Sequence, residues 1–93
     1  MAEYLLTLLS ANYKVALLSR GYGRKTRGFR LANEHDTAAT IGDEPMQIHL
    51  RFPDIPVAVC ADRVKGVKHL QHLYPDLQCV ILDDAYQHRS LSC

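Results

Sequence analysis

Short apolar runs alternate with amphipathic stretches along this chain of 93 residues. Three of the runs are continuous and too short for helices, which is typical of strands buried in a parallel sheet. These predicted strands span residues 15–19, 56–61 and 79–82. The stretches around them carry apolar residues at helical spacing, and they predict helices over 2–13, from about 40 to 52, and from 63 to 74. Strands joined through helices indicate an α/β fold with right-handed crossovers.

The starts of the later helices carry recognisable signals. Thr40 or Asp43 can cap the second helix, and Pro45 and the acidic residues beside it suit the first turn. Asp62 follows the second strand directly and is the expected cap of the third helix. We therefore expect both helices to begin just after a polar residue.

The connections are predicted from polar and basic residues. Residues 20–30 form a basic, hairpin-like loop that we expect to become extended at its end, and 33–36 form a polar turn. The chain stops shortly after Arg89, where the alternation of elements predicts a further helix. With three strands, the predicted core is thin, and the chain reads as a fragment of a larger domain.

Composition narrows the class of protein. The chain is 47% hydrophobic and 23% charged with a formal net charge of +1, which indicates a globular protein and gives no overall reason to expect nucleic acid. No apolar stretch approaches the roughly 20 residues that cross a bilayer. Its three cysteines are widely spaced, which favours a reducing compartment, and Cys60 and Cys79 are expected to be plain core thiols.

The last predicted strand ends in two adjacent carboxylates, Asp83 and Asp84, followed by Gln87 and His88. Open parallel sheets bind ligands at the edge formed by the carboxyl ends of their strands. Mg2+ prefers oxygen ligands, and phosphoryl-transfer enzymes hold it with an aspartate at a strand end. The alternative is an Asp-Asp turn that only ends the strand.

A second acidic pair, Asp43-Glu44, lies at the start of a predicted helix. Helix capping explains this pair when it is taken alone. Together with Asp83, it places carboxylates at corresponding ends of neighbouring elements, as phosphoryl transfer to an alcohol requires. Arg63 lies just after the second strand, so it is either a surface residue beside a cap or a phosphate contact.

The loop over residues 20–30 holds five of the eleven Lys and Arg residues. It has three possible roles: a solvated surface, an RNA-binding surface in which Tyr22 and Phe29 stack on bases, or a site for a phosphorylated or anionic-lipid substrate. The stretch Gly21-x-Gly23-x-Lys25-Thr26 is not a P-loop, because its spacing is too short and Arg24 precedes the lysine.

Four blocks of this sequence, in the same order, resemble the tetraacyldisaccharide 4'-kinase family, the lipid A kinases of Gram-negative bacteria. The matching blocks are Leu18-Ser-Arg-Gly-Tyr-Gly-Arg24, Ala39-Thr-Ile-Gly-Asp-Glu-Pro-Met46, Val57-Ala-Val-Cys-Ala-Asp-Arg63 and Ile81-Leu-Asp-Asp-Ala-Tyr-Gln-His-Arg89. Together they are spread along the chain from residue 18 to residue 89. The resemblance implies a three-layer, P-loop-kinase-like fold with a mostly parallel sheet. It also implies transfer of the ATP γ-phosphate to the 4' hydroxyl of a lipid A disaccharide precursor.

The resemblance also assigns roles to residues. Asp43 would be the general base or its close partner, with Glu44 beside it in the magnesium network. The Walker-B-like carboxylates would be Asp83 and Asp84. The reaction centre would be lined by Gln87 and His88. The side chains that would meet the sugar-phosphate head are Tyr22, Arg20, Asp62, Arg63 and His88.

The same resemblance sets the expected context. Residues 1–93 would be a partial N-terminal kinase domain, beginning just after the family's P-loop and ending just after the Asp-Asp strand end. The cofactors would be ATP and Mg2+, and the partners would be the lipid precursor and an anionic membrane surface at the cytoplasmic face of the bacterial inner membrane. We expect neither nucleic acid nor a protein partner, and no turnover by the isolated chain. The alternative is a non-catalytic α/β module that binds lipid phosphate or nucleic acid through residues 20–30.

Overall fold

The computed structural model describes residues 2–21, 28–83 and 89–92. Helices and strands alternate along them. In chain order they are α1 (Ala2–Ser10), β1 (Val15–Ser19), β2 (Arg30–Leu31), α2 (Ala38–Ile41), α3 (Asp43–Arg51), β3 (Val57–Val59), α4 (Arg63–Leu73), β4 (Cys79–Asp83) and β5 (Arg89–Ser92). The three strands predicted from continuous apolar runs are β1, β3 and β4, so those predictions are confirmed with slightly different ends.

Across the described residues the strands form one sheet in the order β2-β3-β1-β4-β5. The three central strands are parallel, and β1 lies between β3 and β4. The outer strands β2 and β5 are antiparallel to their neighbours. Two expectations are corrected here: β2 pairs with β3 instead of forming a hairpin with β1, and a strand, not a helix, follows the predicted end of β4.

Helices cover both faces of the sheet, so the core is thicker than the sequence suggested. On one face, Leu6 of α1 and Ile48 of α3 pack against Leu17 and the other inward residues of the central strands. On the opposite face, Leu70 of α4 packs against Leu18 and its neighbours. We call these the α1/α3 face and the α4 face. Alternate residues of β1 and β4 point to alternate faces, as the pleat of a sheet requires.

The second predicted helix is two helices that meet at Gly42. Its φ of 99° lies in a region that favours glycine, and its N–H donates to the Ala38 carbonyl at 2.7 Å, which closes α2. Gly42 then serves as the N-cap of α3, and Thr37 is the N-cap of α2. The prediction that Thr40 or Asp43 caps the helix was therefore wrong, because the chain turns one residue before Asp43.

The cap of α4 is the predicted one, since the Lys65 N–H donates to the Asp62 carboxylate at 3.2 Å. Farther along α4, Gly66 lies against β1 on the α4 face. The cysteines divide: Cys60 is a buried free thiol, as predicted, whereas Cys79 is disulfide-bonded, so the prediction of a plain core thiol was wrong there.

Candidate active site

The carboxyl ends of the three parallel strands meet at one edge of the sheet. Ser19, the last residue of β1, is in register with Val59 of β3 and Asp83 of β4. Immediately after β1 the chain turns, and the Gly21 N–H donates to the Ser19 hydroxyl at 3.1 Å. This edge is where an open parallel sheet presents its ligand-binding residues.

Asp83 lies at this edge and is almost fully buried, with 5% of its surface exposed. Along β4, Ile81 packs on the α1/α3 face while Val80 and Leu82 pack on the α4 face. Because side chains alternate along a strand, Asp83 projects on the α1/α3 face. A buried carboxylate at this position is costly unless it serves a partner, which makes it the strongest candidate among the described residues for chemistry.

Asp43 and Glu44 are the first two residues of α3, and both are exposed. The helix leads through the short connection 52–56 into the start of β3, and Ile48 holds it on the sheet. Its C-terminus therefore lies near the amino ends of the strands and its N-terminus near their carboxyl ends. Asp43 and Glu44 thus lie at the same edge and on the same face as Asp83.

The other candidates at this edge lie outside the α1/α3 layer. Asp62 and Arg63 begin α4 on the opposite face, and one Asp62 carboxylate oxygen is already used as the helix cap. Arg20 is exposed and directly follows β1. By topology, Asp43, Glu44 and Asp83 thus lie at one edge and on one face of the sheet, with β1 between the strand under α3 and the strand of Asp83, and the remaining three lie beside that edge. The predicted Tyr22, Asp84, Gln87 and His88 lie outside the described residues.

Asp36, which lies in the connection between β2 and α2, was not singled out from the sequence. Its side chain is fully buried and accepts hydrogen bonds from Arg30 Nε at 2.6 Å, the Thr40 hydroxyl at 2.8 Å and the Asn33 N–H at 2.9 Å. Burial raises the pKa of Asp36, but the bonds from Thr40, Arg30 and Asn33 outweigh it and hold the pKa below its ordinary value. The carboxylate is therefore charged in the folded protein at neutral pH.

The carboxylates at this edge, Asp83 and Asp43, are suitable oxygen ligands for a magnesium ion that also contacts a phosphorylated ligand. No group of three or more His, Cys, Asp or Glu side chains in the described ranges is arranged to hold a metal ion. Mg2+ usually keeps several waters and is bound through one or two carboxylates plus substrate phosphates, so it needs no full protein cage. The buried oxygen ligand of Asp83, with Asp43 at the same edge, fits that mode of binding.

Two further features bear on where ligands bind. A cavity of about 300 Å³ opens at the amino ends of the strands, between Val15, Pro56 and Leu77. It lies at the rim opposite Asp83 and holds none of the candidate residues.

In the described parts of the chain, no helix has the length and apolar character needed to cross a bilayer.

Comparison with known proteins gives one consistent result. The family model described as "LpxK: Tetraacyldisaccharide-1-P 4'-kinase" matches residues 1–93. The chain is 53% identical over 91 residues to the tetraacyldisaccharide 4'-kinase of Cytophaga hutchinsonii and 51% identical over 89 residues to that of Flavobacterium johnsoniae. These matches cover 97% and 96% of this chain and 26% of each relative, so the chain spans about a quarter of the length of the curated relatives it matches.

A solved structure is also similar. It is LpxK from Aquifex aeolicus in complex with ATP, which superposes with a TM-score of 0.76 at 32% sequence identity. The match covers 95% of this chain and 29% of that one. The predicted α/β class with a mostly parallel central sheet is therefore confirmed.

Proposed function

Because the chain belongs to the tetraacyldisaccharide-1-P 4'-kinase family, we propose that it forms the part of such a kinase that activates the acceptor hydroxyl. The reaction is transfer of the γ-phosphate of ATP to the 4' hydroxyl of a tetraacyldisaccharide 1-phosphate. The observation that carries the proposal is the position of Asp43 at the same edge and on the same face of the sheet as the buried Asp83.

In this proposal the described residues divide the chemistry. Asp43, exposed at the edge, accepts the proton of the 4' hydroxyl. The hydroxyl oxygen then bonds to the γ-phosphorus, while the bond between the γ-phosphorus and the bridging oxygen of ADP breaks. Asp83 and its neighbour Asp84 hold Mg2+, which when bound neutralises the charge on the phosphate oxygens. Glu44 supports that network, as the motif resemblance suggests.

The remaining candidates serve the substrates. Arg63 and Arg20, both exposed beside the edge, supply positive charge for a phosphorylated headgroup. Asp62 shares its carboxylate between the α4 cap and the sugar. By motif, Tyr22, Gln87 and His88 complete the pocket.

The substrate also sets where the protein works. A lipid with four acyl chains stays in a bilayer, so we place the enzyme peripherally at the cytoplasmic face of the inner membrane, where the basic residues between 20 and 30 favour an anionic surface. Neither nucleic acid nor a protein partner is needed for this role. The 93 residues contain no G-x-x-x-x-G-K-[ST] motif to cradle the β- and γ-phosphates, so we expect the isolated chain not to turn over.

A chimera tests the proposal. These 93 residues replace the matching quarter of the Cytophaga hutchinsonii relative, and transfer of labelled γ-phosphate to the lipid disaccharide is measured with Mg2+ present. The parent chimera should be active. The double substitution Asp83→Asn, Asp84→Asn should lower kcat by at least about 1,000-fold, because it removes the proposed ligands of the metal.

The matched control is Asp54→Asn, an exposed aspartate at the opposite rim of the sheet, which should change kcat by less than about twofold, as is usual for surface substitutions. Circular dichroism of each variant reports whether the fold is kept. Activity that survives loss of both Asp83 and Asp84 would reject the proposed role. Loss of ligand binding after removal of Arg24, Lys25 and Arg27, with activity unaffected by the acidic substitutions, would favour the non-catalytic binding module instead.

A further inference from the structure

Three hydrogen bonds reach the buried carboxylate of Asp36, which lies seven positions before Asp43. One carboxylate oxygen accepts from Arg30 Nε and from the Thr40 hydroxyl, and the other accepts from the Asn33 N–H. Arg30 belongs to the outer strand β2, Asn33 opens a tight turn, and Thr40 belongs to α2. A single buried charge thus joins a strand, a turn and a helix.

Thr40 extends this network to the beginning of α2. Its hydroxyl oxygen accepts the Thr37 N–H at 2.8 Å, and the hydroxyl lies 2.8 Å from an Asp36 carboxylate oxygen and 3.0 Å from the Thr37 carbonyl, the two acceptors within its reach. Both the first turn of α2 and the chain that enters it are therefore attached to the Asp36 carboxylate. Since α2 has four residues, an attachment at this place fixes nearly the whole helix.

A short, well-bonded path leads from α2 to the proposed base. Ile41 is fully buried, and Gly42 closes α2 with its bond to Ala38 and opens α3 by accepting the Met46 N–H at 3.1 Å. Asp43 follows directly and is exposed. The position of its carboxylate at the edge of the sheet therefore depends on the backbone of α2 and Gly42.

We propose that Asp36 is a positioning residue, which fixes the α2–α3 corner so that Asp43 meets the acceptor hydroxyl. The inference rests on the proposed function, because it assumes that Asp43 is the base. A displacement of about 1 Å at a reacting group can cost about 100-fold in rate. Loss of the charge at Asp36 weakens its bonds to Arg30 and Thr40, and an amide nitrogen in place of the second carboxylate oxygen leaves the Asn33 N–H without its acceptor.

The chimera described above provides the test. Asp36→Asn keeps the shape of the side chain and removes its charge. We expect kcat to fall by about 10- to 100-fold while the KM for ATP changes by less than about threefold, since only a transition-state contact is weakened. Asp54→Asn again serves as the matched control. A general loss of folded protein would instead lower the active fraction and leave the kcat of the folded fraction unchanged.

Thr40 offers a second pair of variants that does not depend on Asp36→Asn folding. Thr40→Val keeps the shape and removes the hydroxyl, whereas Thr40→Ser keeps the hydroxyl and removes a methyl group. We expect Thr40→Val to lower kcat in the same direction as Asp36→Asn and Thr40→Ser to remain close to the parent. Equal activity of Thr40→Val and Thr40→Ser would overturn the proposal.

The decisive readout is a double-mutant cycle between Asp36 and Asp43. If Asp36 acts through Asp43, then Asp36→Asn should cause little further loss once Asp43→Asn is present. Multiplicative losses would show that the two residues act independently, and would overturn the inference. Full activity of Asp43→Asn alone would instead reject Asp43 as the base, so failure of the proposed function is distinguishable from failure of this inference.

Discussion

Helix α4 approaches β1 so closely at Gly66 that a single added methyl group should change the free energy of unfolding measurably. A Cβ placed on Gly66 would lie 2.7 and 2.8 Å from the two Cδ atoms of Leu18 and 3.2 Å from Cys60 Cβ. Leu18 is buried with 2% of its surface exposed, so its methyl groups have little room to move. Gly66 lies in the first turn of α4, close to Asp62 and Arg63 at the start of the helix.

The size of the effect follows from two opposing terms. Alanine favours a helix over glycine by about 1 kcal/mol. Overpacking of a well-packed core costs about 1–3 kcal/mol. We therefore expect Gly66→Ala to lower the free energy of unfolding by about 1 kcal/mol, because the helical preference offsets only part of the overpacking cost. Urea denaturation of the chain, followed by circular dichroism, measures it.

The sign should reverse when the obstructing methyl groups are removed. Leu18→Val removes both Cδ atoms, keeps a residue suited to a strand, and alone costs about 1 kcal/mol for the lost methylene. In that background Gly66→Ala should be neutral or stabilising by up to about 1 kcal/mol, since the helical preference is then opposed only by the 3.2 Å approach to Cys60 Cβ. A stabilising Gly66→Ala in the parent chain, or the same loss in both backgrounds, would refute the close packing of α4 on β1.

Two further predictions concern individual carboxylates. The folded-state pKa of Asp36 lies below its ordinary value of 3.8, so its ionised form stabilises the fold above that pH and the contribution is lost as the pH falls through the folded pKa. Urea midpoints measured across the acid range should decline in the parent and be flatter in Asp36→Asn; parallel curves would contradict the network. Asp62→Ala removes the cap of α4 and should lower the free energy of unfolding by about 1 kcal/mol, with Asp76→Ala as the exposed control; equal effects would contradict a specific cap.

The fold was predictable where the apolar pattern was continuous. The run of five apolar and small residues in β1 cannot form a stable helix of its own, so it could only be a buried strand. Neither β2 nor β5 is a continuous apolar run. Strand β2 has only two residues, and both are partly exposed. These two strands form because the backbone of a neighbouring strand needs a hydrogen-bonding partner, which depends on the assembled sheet and not on local sequence.

The predictions for individual helices were less accurate than those for the central strands. Val64, Leu73 and Leu50 are apolar residues within the predicted helices, yet all three are largely exposed, because a single sheet face cannot contact the full width of each helix. Gly42 divided the second helix, and its positive φ could not be read from a pattern that also fits a capped helix.

The candidate site was predictable in its residue types and less so in its support. Asp83 follows an apolar run and Asp43 begins a helix, so both were recognisable as carboxylates at the ends of elements. Arg30, Asp36 and Thr40 look like ordinary polar residues of a connection, and nothing local indicates that the charge between them is buried. Only the packing of β2 and α2 around that connection makes Asp36 structural.

In the proposed function, Asp43 and the Asp83-Asp84 pair act on one metal-bound phosphate at one edge of the sheet. Crystals of the active chimera, grown with ADP and Mn2+ in place of Mg2+, would locate the ion by its anomalous scattering. We expect a peak within about 2.1 Å of a carboxylate oxygen of Asp83 or Asp84, with Asp43 on the same side of the nucleotide. An ion bound at another rim of the sheet, or Asp43 directed away from it, would show that these carboxylates do not share a metal-bound phosphate.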